Sequence, residues 1–266
     1  MSDALTEIYR DRRWRLEAEM AKEPLSELQA RALKSTEERR SLGAALASAL
    51  PPALIAEIKR ASPSAGLIAH QFDPVEIAAS YQSAGADAIS VLTEEDHFQG
   101  HLSFLKLVRE ATTLPLLRKD FLTTPYEVVQ SAAYGADAIL AIVAGLSDEQ
   151  LSALLAAARE WQIEVLVEVH SALELARAVA LGASLLGINN RDLRTLHTDL
   201  TVTESMIGLV PEGVQVVSES GFESAAQVDR IHRAGVPSFL VGEALMRASD
   251  KRGWVRGMKG LGAVGA

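Results

Sequence analysis

A chain of 266 residues, 48% of them hydrophobic, has enough apolar material for a large core, which excludes global disorder. Its formal net charge of −9 repels nucleic acid and anionic membrane at long range. Cysteine is absent, excluding disulfides and thiolate chemistry; no apolar run is long enough to span a bilayer, and the polar start Met1-Ser2-Asp3-Ala4 lacks a secretory layout, so a cytoplasmic protein is expected.

Residues 1–50 read as an N-terminal helical extension packed on something larger. Leu5, Ile8, Tyr9, Leu16 and Met20 follow approximate helical spacing, and Pro24 ends that run. Arg10, Arg12, Arg13 and Arg15 lie within it with acids on either side, which predicts a solvated helix face and no nucleic-acid binding. A second helix opens at Leu25. Ser35 with Glu38 has the pattern of a capping box ahead of a third helix reaching towards Leu50, and Pro51-Pro52 closes the segment.

From there the chain alternates. Short β-rich apolar runs near 53–58, 88–92, 114–118, 138–143, 164–168, 185–189, 214–218 and 238–241 are separated by amphipathic stretches long enough for helices. Asp73/Glu76, Thr124/Glu127, Ser147/Gln150, Ser171/Glu174, Thr201/Glu204 and Ser224/Gln227 each place an oxygen side chain three residues before Glu or Gln, a helix-start pattern. Pro74 and Pro125 add proline at the first helical position.

Gly85-Ala86-Asp87-Ala88-Ile89 returns as Gly135-Ala136-Asp137-Ala138-Ile139, with weaker copies at Gly182 and Gly235. The period of about fifty residues is two βα units, so the even strands share one way of entering the sheet. Eight such units imply a parallel sheet closed into a (β/α)8, or TIM, barrel. The alternative, an open doubly wound sheet, calls for a glycine-rich dinucleotide loop after its first strand, and Lys59-Arg60-Ala61-Ser62-Pro63-Ser64 is not one. A single domain is expected: extension 1–50, barrel 51–256 and a flexible tail 257–266.

Barrels of this kind carry their chemistry at the carboxyl ends of the strands. Glu57 and Lys59, two apart on the first strand, share a face. Read alone, they fit a structural ion pair as well as a cavity mouth. The other strand ends add Arg118-Lys119-Asp120-Phe121, Glu168, Asn189-Asn190-Arg191-Asp192, Glu219-Ser220-Gly221 and Gly242-Glu243, and that convergence on one rim points to a site. Ser220-Gly221 and Gly242-Glu243 follow strands seven and eight, where this fold binds phosphate through backbone N–H groups. The side chain of Glu243 is expected to face away. Lys59, Arg60, Lys119 and Arg191 suit a small anionic phosphorylated substrate, Glu57, Glu168 and Glu219 are candidate proton carriers, and Asn189 is a neutral orienter.

Ile55-Ala56-Glu57-Ile58-Lys59-Arg60-Ala61-Ser62-Pro63-Ser64 closely resembles the fingerprint of the indole-3-glycerol phosphate synthase family, the decarboxylating cyclases of tryptophan biosynthesis. The likeness continues through Leu92-Thr93-Glu94-Glu95, Phe98-Gln99-Gly100, Leu117-Arg118-Lys119-Asp120-Phe121, Leu166-Val167-Glu168-Val169-His170, Gly187-Ile188-Asn189-Asn190-Arg191-Asp192-Leu193, Ser218-Glu219-Ser220-Gly221 and Val241-Gly242-Glu243-Ala244-Leu245-Met246. The resemblance implies closure of 1-(2-carboxyphenylamino)-1-deoxyribulose 5-phosphate to indole-3-glycerol phosphate with loss of carbon dioxide and water. It implies Lys119 as general acid at the ketone oxygen and Lys59 as the lysine near the anthranilate carboxylate, also an acid. Glu168 matches the base or acid of dehydration, and Glu57 the partner that positions lysine and substrate. Asn189, Glu219 and Ser220 match further polar contacts, Ser62, Gly221, Gly242 and Glu243 the phosphate positions, and Arg191 a rim arginine.

Phe98, Phe121 and Leu193 are candidates for an apolar wall against the substrate ring. The implied reaction calls for no metal or redox cofactor, and no His cluster has ligand spacing; His70, His97, His101, His170, His197 and His232 are expected at the surface or in loops. His97 and His101 depart from the family pattern around Phe98. A monomer or weak homo-oligomer is expected. Three rivals remain: a related phosphate-binding isomerase, disfavoured because its family uses a cysteine; a Schiff-base lyase at Lys119; and a non-catalytic binder of phosphorylated metabolites.

Overall fold

A computed structural model describes residues 4–34, 38–192 and 194–261. Its eight long strands are β1 (Ala53–Ile58), β2 (Ala88–Leu92), β3 (Leu116–Lys119), β4 (Ala138–Ile142), β5 (Glu164–Val169), β6 (Leu185–Asn189), β7 (Gln215–Glu219) and β8 (Ser238–Val241). They form one closed barrel in chain order, every neighbouring pair parallel, with β1 joined to both β2 and β8. The expected TIM barrel is what the chain adopts. A two-residue ladder, Ala61–Ser62 against Gly66–Leu67, decorates the loop after β1.

Side chains of a strand alternate between faces, and closing the sheet turns one face into an interior. The alternation sorts the apolar residues into two cores. Ala53, Ile55, Leu117, Leu140, Leu166 and Leu240 pack together inside the barrel. Leu54, Ala56, Ile58, Val91, Ile139 and Phe239 face the helices outside.

The extension supplies α1 (Ala4–Lys22), α2 (Leu25–Lys34) and α3 (Leu42–Ser48). After the successive strands come α4 (Pro74–Ala84), α5 (Ser103–Ala111), α6 (Pro125–Ala133), α7 (Asp148–Glu160), α8 (Ala172–Ala180), α9 (Thr201–Met206), α10 (Ala225–Arg233) and α11 (Glu243–Arg247), with α12 (Lys251–Met258) last. Complete capping boxes form at Thr124/Glu127, Ser147/Gln150 and Ser224/Gln227, while Asp73 and Ser171 cap through their side chains. Thr201/Glu204 is not a box. Asp199 takes the Thr201 N–H at 2.9 Å, so Thr201 already lies inside α9, and Glu204 pairs with Arg230 instead. The third helix starts later than expected, capped by Ser41; Ser35 lies outside the described residues, and Glu38 precedes the helix.

The repeated Gly-Ala-Asp carries two devices. Gly85, Gly135, Gly182 and Gly235 have φ of 100°, 88°, 88° and 107°, the left-handed turn that ends a helix. The aspartates reach sideways. Asp87 accepts the Leu54 N–H at 2.7 Å and Asp137 that of Leu116 at 2.8 Å, so each ties an even strand to the start of the odd strand before it. Lys259 neutralises Asp87 at 2.7 Å and Arg109 neutralises Asp137 at 2.6 Å. Of the expected tail, Gly257 and Met258 close α12, Lys259 is buried on Asp87, and residues 262–266 lie outside the described residues.

The extension closes both ends of the cylinder. At the amino end of the strands, Leu42 and Leu46 of α3 join the interior core. Ser41 and the Gly43 N–H hold Glu164, the first residue of β5, at 2.7 and 2.9 Å. From there α2 packs along α6, and α1 reaches the carboxyl end of the barrel. The basic face expected on α1 is not solvated throughout. Arg12 is buried, bound to Glu127 at 2.9 Å and Glu19 at 2.6 Å, because the fully buried Glu127 needs a cation. Arg15 binds Glu95 and Asp96 beyond β2, and Met20 is exposed.

Asp137→Ala leaves Arg109 buried without its carboxylate and the Leu116 N–H without an acceptor. Urea unfolding should show a loss of roughly 3–5 kcal/mol, the usual cost of removing one partner of a buried pair. Asp87→Ala, at a less buried carboxylate, should lose less.

Candidate active site

Each strand that ends in a candidate group keeps its inward parity to the last residue. On β1 the interior series Ala53, Ile55 runs on to Glu57 and Lys59. On β3 and β5, Leu117 leads to Lys119 and Leu166 to Glu168; on β7, Val217 leads to Glu219, and on β6, Leu185 leads by way of Gly187 to Asn189. All of these open onto one cavity of about 740 Å³ at the carboxyl ends of the strands.

The cavity has three regions. Phe98, Phe121, Leu140 and Ile142 form an apolar wall on the β2–β4 side, completed by Leu5 and Ile8 of α1. Ser62, Arg191, Ser220, Gly221, Gly242 and Glu243 lie on the side of β6–β8 and the loop after β1. The charged groups Glu57, Lys59, Lys119, Glu168 and Glu219, with Asn189, line the ground between. Arg60, expected at the site, does not line it. By the alternation that turns Glu57 and Lys59 inward, Arg60 turns outward; its side chain is exposed, and only its carbonyl works, accepting the Ile68 and Ala69 N–H groups. Leu193 lies outside the described residues.

Lys119 Nζ stands 3.3 Å from Glu168 Oε2 and 3.6 Å from Glu219 Oε2. Burial opposes its charge, yet Glu168, Glu219 and Glu57 together hold the ammonium above the ordinary lysine range. The two carboxylates respond oppositely. Burial would raise Glu168, but Lys119, His170 and Asn189 hold it well below the usual carboxylate range. Burial and the facing Glu168 push Glu219 up to about 8, against the pull of Lys119, and neither of its oxygens has a hydrogen-bond partner. Lys59 pairs with Glu57 at 2.7 Å, inside the cavity rather than in a structural core.

Glycines make room for these groups. A Cβ on Gly187 would sit 2.0 Å from Glu219 Oε1, and one on Gly242 would sit 2.1 Å from Glu57 Oε1. Ser220, at φ 66°, and Gly221, at φ 86°, form consecutive left-handed residues, a backbone conformation that turns N–H groups towards an anion. Asn190, noted at the end of the sixth strand but given no role, holds this turn: its Nδ2 donates to the Glu219 and Ser220 carbonyls at 2.9 and 3.1 Å and to Ser218 Oγ at 3.0 Å. Glu94 does the same for Phe98, its carboxylate accepting the N–H groups of Asp96, His97 and Phe98.

Arg191 bridges three loops, donating to Ser64 Oγ and the Leu196 carbonyl while facing Glu243 at 3.6 Å. Glu243 does not simply face away as expected. It lines the rim, drawn onto Arg191 and, at 3.1 Å, onto Arg247, a cavity cation that sequence reasoning missed. His170 corrects another expectation in part. It lies in the loop directly after β5, as expected, but is largely buried there between Glu168 and Glu174, 3.3 Å from each. Among the described residues, no group of three or more His, Asp or Glu is placed to hold a metal ion.

A family model described as Indole-3-glycerol phosphate synthase matches residues 5–258. The chain is 46% identical to the indole-3-glycerol phosphate synthase of Roseiflexus castenholzii, over 98% of this chain and 99% of that protein. It is 45% identical to the one of Rhodospirillum rubrum, over 98% and 100%. Solved structures share the fold at low identity. With 3-hexulose-6-phosphate synthase from Salmonella typhimurium the TM-score is 0.65 at 15% identity, covering 79% of this chain and 97% of that one. With thiamine phosphate pyrophosphorylase from Pyrococcus furiosus it is 0.60 at 18%, covering 79% and 94%.

The seat of α1 on the mouth can be tested without a ligand. Tyr9 meets Phe121 edge-on at 5.6 Å and presses against Gly145, where a Cβ would fall 1.9 Å from its ring. Gly145→Ala therefore displaces Tyr9. Amide exchange across residues 4–22 should quicken about tenfold or more, while exchange in β4 is unchanged. Unchanged exchange in α1 would show that Tyr9 does not hold it.

Proposed function

The chain belongs to the indole-3-glycerol phosphate synthase family, and from that premise we propose that it closes 1-(2-carboxyphenylamino)-1-deoxyribulose 5-phosphate to indole-3-glycerol phosphate through the residues gathered in this cavity. The observation that carries the reading is Lys119 between two buried carboxylates, with an apolar wall to one side and an anion-binding turn to the other.

The substrate has the same three parts. Its aromatic ring lies against Phe98 and Phe121, its phosphate meets the N–H groups of Ser220, Gly221, Gly242 and Glu243, with Ser62, and the ketone falls between, within reach of Lys119. Arg191 and Arg247 keep the phosphate end cationic although Glu243 is there. Lys59, aligned by Glu57, faces the anthranilate carboxylate.

Lys119 donates its proton to the ketone oxygen, and the ring carbon bearing the carboxylate attacks the carbon so activated. Carbon dioxide leaves with its bonding electrons returning to the ring, which restores aromaticity. In the dehydration Lys59 supplies the proton with which the hydroxyl leaves as water, and an acceptor takes one from the new five-membered ring. Glu168, ionised and oriented by Asn189, is the acceptor. Glu219 keeps its proton up to about pH 8 and acts as a neutral hydrogen-bond donor.

A Schiff-base mechanism needs a neutral amine at Lys119, and the surrounding carboxylates favour the ammonium. Among the described residues no helix is long and apolar enough to cross a membrane. Large exposed apolar side chains such as Trp14, Leu33 and Leu173 stand on several different helices, in keeping with a monomer or weak homo-oligomer.

Indole fluorescence should appear when the anilino-ribulose phosphate is added. Lys119→Ala should lower kcat on the order of 10²–10⁴-fold with the circular dichroism spectrum intact; full turnover would remove Lys119 from the chemistry. Glu219→Gln imitates the protonated acid and should retain far more kcat than Glu168→Gln, which loses the acceptor. The reverse order would exchange the two roles.

A further inference from the structure

Glu168 and Glu219 are both 1% exposed and stand at nearly equal distance from Lys119. The lysine alone cannot decide which of them carries the charge. Their other neighbours can. Glu168 Oε1 stands 3.3 Å from His170 Nε2, an ion-pair contact, whereas Glu219 has no hydrogen-bond partner beyond its 3.6 Å ion pair with Lys119.

His170 is itself clamped. Its backbone N–H donates to Glu174 Oε2 at 2.8 Å, and its Nδ1 lies 3.3 Å from the same oxygen. Glu174 is fixed in the first turn of α8, whose cap Ser171 accepts the Glu174 N–H at 3.3 Å. Each ring nitrogen therefore faces a carboxylate. A neutral imidazole has one donor and one acceptor nitrogen, so either tautomer would point a lone pair at a carboxylate; only the imidazolium donates to both.

We propose that His170 is a positioning residue, held as the imidazolium between Glu168 and Glu174, that determines which of the two carboxylates beside Lys119 is the proton acceptor. The proposal rests on the role given above to Glu168. The charged groups around His170 are Glu168 on β5, Glu174 on α8, Glu219 on β7, Asp192 in the loop after β6 and, beyond Glu168, Lys119 on β3. Burial works against the imidazolium, and the bonds to Glu168 and Glu174 overcome it, taking its pKa up to about 10.

The sign follows from linkage. Removing a cation beside Glu168 raises its pKa, so the acceptor is lost at low pH and returns at high pH. In His170→Asn the acid limb of kcat should move up by at least one pH unit, a loss of about tenfold on the acid side, with KM within about twofold. Glu174→Gln, which weakens the clamp from outside, should move the limb the same way by less. An equal loss of kcat at every pH in both variants would overturn the proposal.

The wild-type protein gives a test that depends neither on a variant folding nor on turnover. Nitrogen-15 NMR should show both His170 ring nitrogens protonated from pH 6 to 9. A neutral ring at pH 7 would overturn the assignment by itself, while full turnover in Glu168→Gln would overturn the acceptor role and this assignment together.

Discussion

Lys119 lies between Glu168 and Glu219, and neither carboxylate could stay ionised in that interior without a cation beside it. Desolvating a charge costs several kcal/mol, and an ammonium shared by two acids offsets that cost for only one of them in full. The other keeps its proton, and that one is Glu219, which faces the charged Glu168 and lacks a hydrogen-bond partner of its own. Two contacts to one ammonium thus place an anion at 3.3 Å and a neutral acid at 3.6 Å from the same cation.

The barrel holds these groups apart by geometry. Each comes from a different strand, on the inward parity of that strand, and the register of the sheet fixes the spacing. Space is reserved at Gly187 and Gly242, whose missing side chains are filled by the carboxylates of Glu219 and Glu57. Behind the site, Arg118 is fully buried and points outward, where it ties Thr93, Asp120, Gln130 and Ser131 together. The β3 end that carries Lys119 is anchored from its opposite face.

Most of the barrel and its rim could be read from the sequence because both depend on short-range pattern. Strand parity alone puts Glu57 and Lys59 on one face, and applied one residue further it excludes Arg60, whose charge drew attention away from its position. Thr201 was misread because the competing cap, Asp199, stands two residues upstream. Asn190, Glu94 and His170 went without a role for another reason. Their partners are carbonyls, amides and carboxylates that come near only after folding, and a lone Asn or His leaves no periodic trace. Arg12 looked like one of four solvated arginines because its acceptor, Glu127, is 115 residues away.

The placement of α1 sets an order on assembly. Its anchors Glu95, Glu127 and Gly145 are all synthesised after it, so α1 cannot complete its docking until the chain has passed the end of β4. The helix that completes the apolar wall of the cavity then settles after the strands beneath it, and a nascent chain can build the floor of this chamber before it has a ceiling.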